Sequence, residues 1–179
     1  MTAFETPRLS LRLIQEGDRA DLHALEQDPE VMRYLNGGKP TPEAGGPADF
    51  LMPRGTEPDV WAAFEKPGGR FVGWFVLHVA QPGVGELGYR LRREFWGRGL
   101  ATEGCRALIA KGFEEFDLER IYASTMAVNL PSRRVMERLG MRHVRTVHLD
   151  FTNPLPGSDQ GDVEYAITCD EWTGMSPKA

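Results

Sequence analysis

Residues 88–104, GYRLRREFWGRGLATEG, are the most informative stretch of this chain. They predict the end of a strand, then a turn, then a glycine-bearing loop that opens a long amphipathic helix from Leu100. Glycines at 97 and 99 allow close approach of a ligand, and a helix N-terminus adds roughly half a positive charge there. The stretch therefore predicts a phosphate or pyrophosphate site, although two glycines around an arginine can also form a simple turn.

A second segment, residues 129–134, is predicted to open another amphipathic helix, which ends at Leu139-Gly140. Asn129 is a favourable N-cap, and a proline such as Pro131 is tolerated in a first turn. Helix formation alone therefore explains the presence of Asn129 and Pro131. The segment follows a strand-like stretch, residues 120–125.

Taken together, these motifs resemble the GNAT superfamily of N-acetyltransferases, and within it the RimJ/RimL-like branch. The matching motifs are Glu86-Leu87-Gly88-Tyr89, Trp96-Gly97-Arg98-Gly99-Leu100-Ala101-Thr102-Glu103, Asn129…Ser132…Val135…Gly140 and the N-terminal Thr6-Pro7-Arg8-Leu9-Ser10-Leu11-Arg12. They extend over nearly the whole chain, so the resemblance predicts one N-acetyltransferase domain over residues 1–179.

The hydrophobic pattern agrees with that resemblance. Strands are expected at 9–14, 60–65, 70–79, 85–91, 120–125, 141–151 and 162–169, and helices at 18–25, from 28, after the glycine loop and from 129. The Gly- and Pro-rich residues 36–58 should be mostly irregular, and the resemblance makes them part of the acceptor-site wall. We expect an α/β (α+β) fold: a mixed, mostly antiparallel central sheet, flanked by helices on both faces and, by resemblance, splayed at the cofactor site.

The resemblance implies transfer of an acetyl group from acetyl-coenzyme A to an amine. The backbone of residues 97–102 would cradle the pyrophosphate, and strand residues 89–91 would pair with the peptide-like pantetheine arm. Asn129 would hold the pantetheine from the other side, and Arg133 would approach the nucleotide. The expected cofactor-binding set is Tyr89, Arg90, Leu91, Trp96, Gly97, Arg98, Gly99, Leu100, Ala101, Thr102, Asn129, Ser132 and Arg133.

Direct attack on the thioester in a ternary complex needs a neutral amine, yet an amine with a pKa of about 10.4 is mostly protonated at pH 7. The candidate bases are Glu86, which the resemblance supports, and Asp150, which the expected strand places on the face of His148. Either can equally be a solvated surface acid. Many family members protonate the leaving thiolate with a tyrosine, but this chain has Met136 there, which cannot donate. Ser132 is the candidate acid; its alternative role is a hydrogen bond at the helix start.

Composition sets outer limits on function. The length of 179 residues fits one domain. The chain carries 26 acidic and 21 basic side chains, a net charge of −5. This charge argues against general nucleic-acid binding and favours a cationic amine as acceptor. Cys105 and Cys169 lie outside any metal-ligand spacing, so no metal site is expected, and Cys105 should be buried. No apolar run could span a membrane and no signal-peptide pattern opens the chain, so we expect a cytoplasmic protein without a membrane partner.

The sequence does not identify the acceptor of the acetyl group. The RimJ/RimL-like resemblance favours a protein N-terminus, and the alternative within enzymes is a polyamine, an amino acid or an antibiotic amine. A non-catalytic acyl-CoA sensor is the alternative outside the enzymes. A dinucleotide-dependent oxidoreductase is excluded, because Thr102 occupies the third glycine position and the flanking pattern is not a βαβ repeat. A homodimer formed through the last strands is a further expectation, since a sheet edge would otherwise stand unpaired there.

Overall fold

The computed structural model describes residues 3–41, 60–150 and 152–175. In these ranges the strands are β1 Ala3–Glu5, β2 Leu9–Leu13, β3 Val60–Glu65, β4 Phe71–Gln81, β5 Val84–Leu91, β6 Arg120–Met126, β7 Arg142–Val147 and β8 Asp162–Thr168. The helices are α1 Arg19–Glu26, α2 Pro29–Asn36, α3 Leu100–Glu115, α4 Leu130–Arg138 and α5 Cys169–Met175. Short 3₁₀ turns cover Glu16–Asp18, Arg93–Phe95 and Ser158–Gln160.

The eight strands of these ranges form one sheet in the order β1-β2-β3-β4-β5-β6-β8-β7. It is mixed and mostly antiparallel, with a parallel pair at β5 and β6, and it is flanked by helices. The predicted fold class is therefore confirmed. None of the helices in the described ranges is long and apolar enough to cross a membrane.

The chain divides into two compact units. The first contains residues 1–76 and 89–104, and the second contains residues 77–88 and 105–179. The expectation of a single N-acetyltransferase domain remains a prediction, as does the expected splay of the sheet.

The first unit is built on antiparallel pairing of β1 with β2, β2 with β3 and β3 with β4. Leu9 and Leu11 of β2 are completely buried, as the period-2 pattern predicted. Leu22 and Leu25 of α1 pack in the same apolar cluster as Trp74 of β4. The helices α1 and α2 therefore supply one side of this unit's core.

The second unit contains the parallel register, in which Val84–Glu86 of β5 lie opposite Arg120–Tyr122 of β6. Antiparallel pairing then joins β6 to β8 and β8 to β7. On β8, the carboxylate of Glu164 accepts hydrogen bonds from Arg120 and Arg145, at 2.7 and 2.9 Å. Burial alone would raise the pKa of Glu164, but the two arginines hold it below its usual range.

Three elements differ from the sequence prediction. The short strand β1 was not predicted. The helix α5 begins at Cys169, where a strand was expected to end, because Thr168 and Glu171 form a reciprocal cap of hydrogen bonds at 3.0 and 3.3 Å. The strand β7 ends at Val147 instead of residue 151, because Val147 pairs with Asp162, the first residue of β8. Residue 151 and most of the predicted irregular stretch, residues 42–58, lie outside the described residues.

Replacing Gly104 by alanine tests the packing of the start of α3. An ideal Cβ there would overlap the ring of the fully buried Phe75, so that the ring or the helix must shift. We expect Gly104→Ala to lower the free energy of unfolding by about 1–3 kcal/mol, because overpacking outweighs the gain in helix propensity. The matched control is Gly17→Ala, where no atom lies within 4 Å. Urea unfolding checks both, and equal stability of the two variants would contradict the prediction.

Candidate functional site

The predicted glycine loop lies in the first unit, directly before α3. Gly97 and Gly99 have φ angles of 70° and 77°, and α3 begins at Leu100. This left-handed conformation is unfavourable for residues that carry a Cβ. At Gly97 a Cβ would meet no atom within 4 Å, so conformation rather than crowding requires glycine there. The 16-residue α3 leaves its first N–H groups without intrahelical acceptors, as every helix does, which suits a bound anion.

A carboxylate on the first turn of α3 ties the loop to the N-terminal segment. Glu103 Oε1 accepts hydrogen bonds from the Thr6 hydroxyl at 2.6 Å and from the Arg8 backbone N–H at 2.8 Å. Its Oε2 accepts one from Arg8 Nε at 2.7 Å. Burial alone would raise the pKa of Glu103, but these donors outweigh it and hold the pKa below its usual range. All three residues lie in the matching motifs, but the motifs alone do not indicate that they meet at the loop.

The Arg98 side chain is engaged by another residue of the protein, Glu65. Its guanidinium forms an ion pair with Glu65 at the end of β3, and the Arg70 Nε donates to the same carboxylate at 3.1 Å. Hydrogen bonds from Arg70, and then from Arg98, lower the pKa of Glu65. The sequence placed Arg98 in the cofactor-binding set. With its side chain engaged in this way, its backbone is the part that can serve that role.

The strand β5 carries the three residues expected along the pantetheine arm. Tyr89 packs against Phe75, with ring centroids 6.1 Å apart. Arg90 Nη1 donates to Glu26 Oε1 at 3.2 Å, and both side chains are largely buried, at 12% and 1% exposure. Burial lowers the pKa of Arg90, and the charge of Glu26 opposes that shift.

Trp96 and Leu91 join the loop to β5. The Trp96 ring is 45% exposed, and its indole N–H donates to the Leu91 carbonyl at 2.8 Å. The Leu91 side chain is buried. The structure therefore brings the predicted loop residues and the end of the predicted β5 segment together within the first unit.

The second unit holds the predicted residues at the start of α4. The Asn129 side chain accepts from the Ser132 backbone N–H at 3.4 Å and donates to Thr125 Oγ1 at 2.9 Å. Asn129 is therefore the N-cap of α4, as predicted. Ser132 is half-buried in the first helical turn. Met136, which occupies the position of the tyrosine found in many family members, is buried in the core.

Arg133 is held by neighbouring protein atoms. Its Nε donates to the Tyr165 hydroxyl at 3.2 Å, and its Nη1 donates to the Ala127 carbonyl at 3.0 Å. The Tyr165 hydroxyl in turn donates to Glu137 Oε1 at 3.1 Å. The expectation that Arg133 approaches the nucleotide remains a prediction, and these bonds give the side chain a structural role in the second unit.

Both candidate bases are exposed carboxylates of the second unit. Glu86 Oε2 accepts a hydrogen bond from the Tyr122 hydroxyl at 3.2 Å, and burial followed by the charge of Glu86 raises the pKa of Tyr122. Asp150 lies beyond the end of β7. The period-2 argument that placed Asp150 on the same strand face as His148 was therefore wrong, because the ladder with β8 ends at Val147.

Cys105 of α3 is completely buried, as predicted. Burial raises the pKa of its thiol, since the thiolate would be poorly solvated there. A thiol in that state is a poor nucleophile, so we give Cys105 a packing role.

Comparisons with known proteins agree with these features. A family model described as an acetyltransferase (GNAT) domain matches residues 8–142. The FsC-acetyl coenzyme A-N(2)-transacetylase of Aspergillus fumigatus is 35% identical over an alignment of 186 positions, gaps included, which covers 96% of this chain and 78% of that protein. The putative ribosomal N-acetyltransferase YdaF of Bacillus subtilis is 44% identical over 98 residues, which cover 50% of this chain and 48% of that protein. The crystal structure of a GNAT-family acetyltransferase from Bacillus anthracis has a TM-score of 0.76 at 26% identity, and the match covers 93% of this chain and 98% of that one.

The lowered pKa of Glu103 predicts how stability depends on pH. A carboxylate whose pKa is lower in the folded state stabilises the fold above its unfolded pKa, about 4.3, and that contribution is lost as pH falls through the folded value. We therefore expect Glu103→Gln to be less stable than the parent at pH 7, with the difference shrinking at acid pH. Thermal unfolding between acid and neutral pH checks this. The control is Glu30→Gln, which removes only an exposed pair with Arg33. A difference that stays constant with pH would contradict the prediction.

Proposed function

This chain belongs to the GNAT family of acetyl-CoA-dependent N-acetyltransferases, and on that premise we propose that its acceptor is a primary amine on a small molecule. The observation that carries the proposal is the 35% identity to FsC-acetyl coenzyme A-N(2)-transacetylase over 96% of this chain. That name contains acetyl coenzyme A and a numbered nitrogen, N(2), and a numbered nitrogen is typical of a small compound rather than of a protein N-terminus. The net charge of −5 is compatible with a cationic amine.

A protein N-terminus is the second candidate acceptor. The RimJ/RimL-like resemblance implies it, and the 44% identity to a putative ribosomal N-acetyltransferase over 98 residues supports it. That match covers half of this chain, whereas the transacetylase match covers nearly all of it. We therefore place the small-molecule amine first.

The cofactor residues of the first unit fit the chemistry of coenzyme A. Two left-handed glycines followed by the N-terminus of α3 supply backbone N–H groups and a positive helix end for the pyrophosphate. The open space around Gly97 fits a ligand that lies close to the backbone. The backbone of Tyr89, Arg90 and Leu91 would pair with the peptide-like pantetheine arm. When bound, acetyl-CoA supplies the acetyl group on a thioester.

Asn129, Ser132 and Arg133 of the second unit complete our proposed cofactor-binding set. Glu86 and Asp150 remain the candidate bases, since both carboxylates can reach solvent and so accept a proton through water. The pH dependence of kcat/KM in Glu86→Gln and Asp150→Asn discriminates between them. We assign Ser132 the task of protonating the leaving thiolate, because Met136 cannot donate a proton.

Two further expectations also remain proposals. A homodimer would use β7, which lies at one end of the strand order and has Val144 52% exposed. The protein is proposed to act in the cytoplasm.

Release of free CoA in the presence of candidate amines tests the acceptor. We expect turnover with at least one of spermidine, free amino acids or aminoglycosides, and little with peptides that carry a free N-terminus. The two groups are compared at equal amine concentration and pH. Turnover confined to the peptides would overturn the small-molecule proposal in favour of N-terminal acetylation.

Removing the Ser132 hydroxyl tests its proposed role as an acid. We expect Ser132→Ala to lower kcat by about 10²-fold and to weaken affinity for acetyl-CoA much less, because a general acid acts only in the transition state. The control is Ser124→Ala, which removes an exposed hydroxyl from β6 in the same unit. Steady-state kinetics with the best acceptor checks both variants. An unchanged kcat in Ser132→Ala would remove this residue from the mechanism.

A further inference from the structure

The Arg8 guanidinium contacts both the glycine loop of the first unit and the first turn of α3. Arg8 Nη1 donates to the Arg98 carbonyl at 2.7 Å, while Arg8 Nε donates to Glu103 Oε2 at 2.7 Å. The first acceptor lies between the two left-handed glycines, and the second lies on the first turn of α3. The rigid, planar fork of an arginine can hold two such acceptors at a fixed relative position.

The bond to the Arg98 carbonyl determines where the next N–H points. In a planar trans peptide the carbonyl and the following N–H point in opposite directions. With the Arg98 carbonyl directed at Arg8, the N–H of Gly99 is directed to the opposite side of the peptide. Rotation of this peptide changes ψ of Arg98 and φ of Gly99, and it is inexpensive on the Gly99 side because that residue carries no Cβ. A rotated peptide would present a carbonyl oxygen to an anion and repel it.

Arg8 is in turn oriented by a less exposed acid. The Arg8 side chain is 50% exposed and Glu103 is 15% exposed, so an isolated pair of this kind would contribute little. Glu103, however, also accepts from the Thr6 hydroxyl at 2.6 Å and from the Arg8 backbone N–H at 2.8 Å. These extra donors hold the carboxylate in one place, and Arg8 with it. The N-terminal Thr6-Pro7-Arg8 segment is thereby linked to the loop.

We propose that Arg8 is a positioning residue for coenzyme A: it holds the peptide between Arg98 and Gly99 so that the Gly99 N–H faces the pyrophosphate. Glu103 and Thr6 orient Arg8 for this task. The inference rests on the proposed placement of the pyrophosphate on this loop. It adds three residues that act through the backbone of the loop.

Binding of two ligands tests this role without knowledge of the acceptor. Coenzyme A contains the pyrophosphate, whereas pantetheine lacks it. We expect Arg8→Met to weaken CoA binding about tenfold or more, because the hydrogen bond from the Gly99 N–H to the charged pyrophosphate is lost. Pantetheine binding should stay nearly unchanged. Calorimetry gives the dissociation constant for CoA, and an NMR titration gives that for pantetheine. Arg8→Lys should recover part of the loss, because its amine can still reach one acceptor.

The matched control is Lys66→Met. It breaks the ion pair with Glu5 at 2.8 Å, in the same N-terminal region, without touching the loop, so both affinities should match the parent. Should Arg8→Met fold poorly by circular dichroism, Glu103→Gln provides the same comparison, because an amide cannot accept from both Arg8 donors. Equal loss for CoA and pantetheine, or no loss for either, would overturn the role of Arg8. A parent protein that binds CoA no more tightly than pantetheine would instead contradict the placement of the pyrophosphate itself.

Discussion

The conformation of the glycine loop depends on the hydrogen bonds that the Glu103 carboxylate accepts. The carboxylate lies on the first turn of α3, where negative charge is favoured by the helix dipole, and it accepts from Thr6 and from Arg8. Arg8 reaches from this carboxylate to the Arg98 carbonyl. A loop with two left-handed glycines has little conformational preference of its own, so these contacts supply the order that glycine cannot.

Side chains in the predicted cofactor set mostly bind other parts of the protein. The pairs are Arg98 with Glu65, Arg90 with Glu26, Trp96 with the Leu91 carbonyl and Arg133 with Tyr165. Such an arrangement suits a ligand that is recognised through the backbone. Pyrophosphate binds N–H groups, and pantetheine is itself peptide-like, so neither needs a dedicated charged side chain. The side chains then act by holding the backbone in the conformation that binds.

Local patterns predicted the elements that depend on local sequence. The strand β3 has the predicted bounds, and α3 begins at Leu100 directly after the glycine loop, as predicted. The partners of Glu103 could not be predicted from spacing, because Thr6 and Arg8 are about a hundred residues away and meet it only in the folded unit. The end of β7 depends on where its partner β8 begins, which no pattern in β7 contains. For α5 a signal was present, since Thr168 and Glu171 have the spacing of a capping box.

In the proposed cofactor site, the backbone of residues 97–102 binds the pyrophosphate of acetyl-CoA. Backbone amide NMR during titration with CoA, and separately with pantetheine, tests it most directly. We expect the amide signals of Gly99 and the first turn of α3 to shift strongly with CoA and scarcely with pantetheine, because N–H groups respond to a new anionic acceptor. Equal shifts with both ligands, or CoA-induced shifts confined to residues outside this loop, would contradict it.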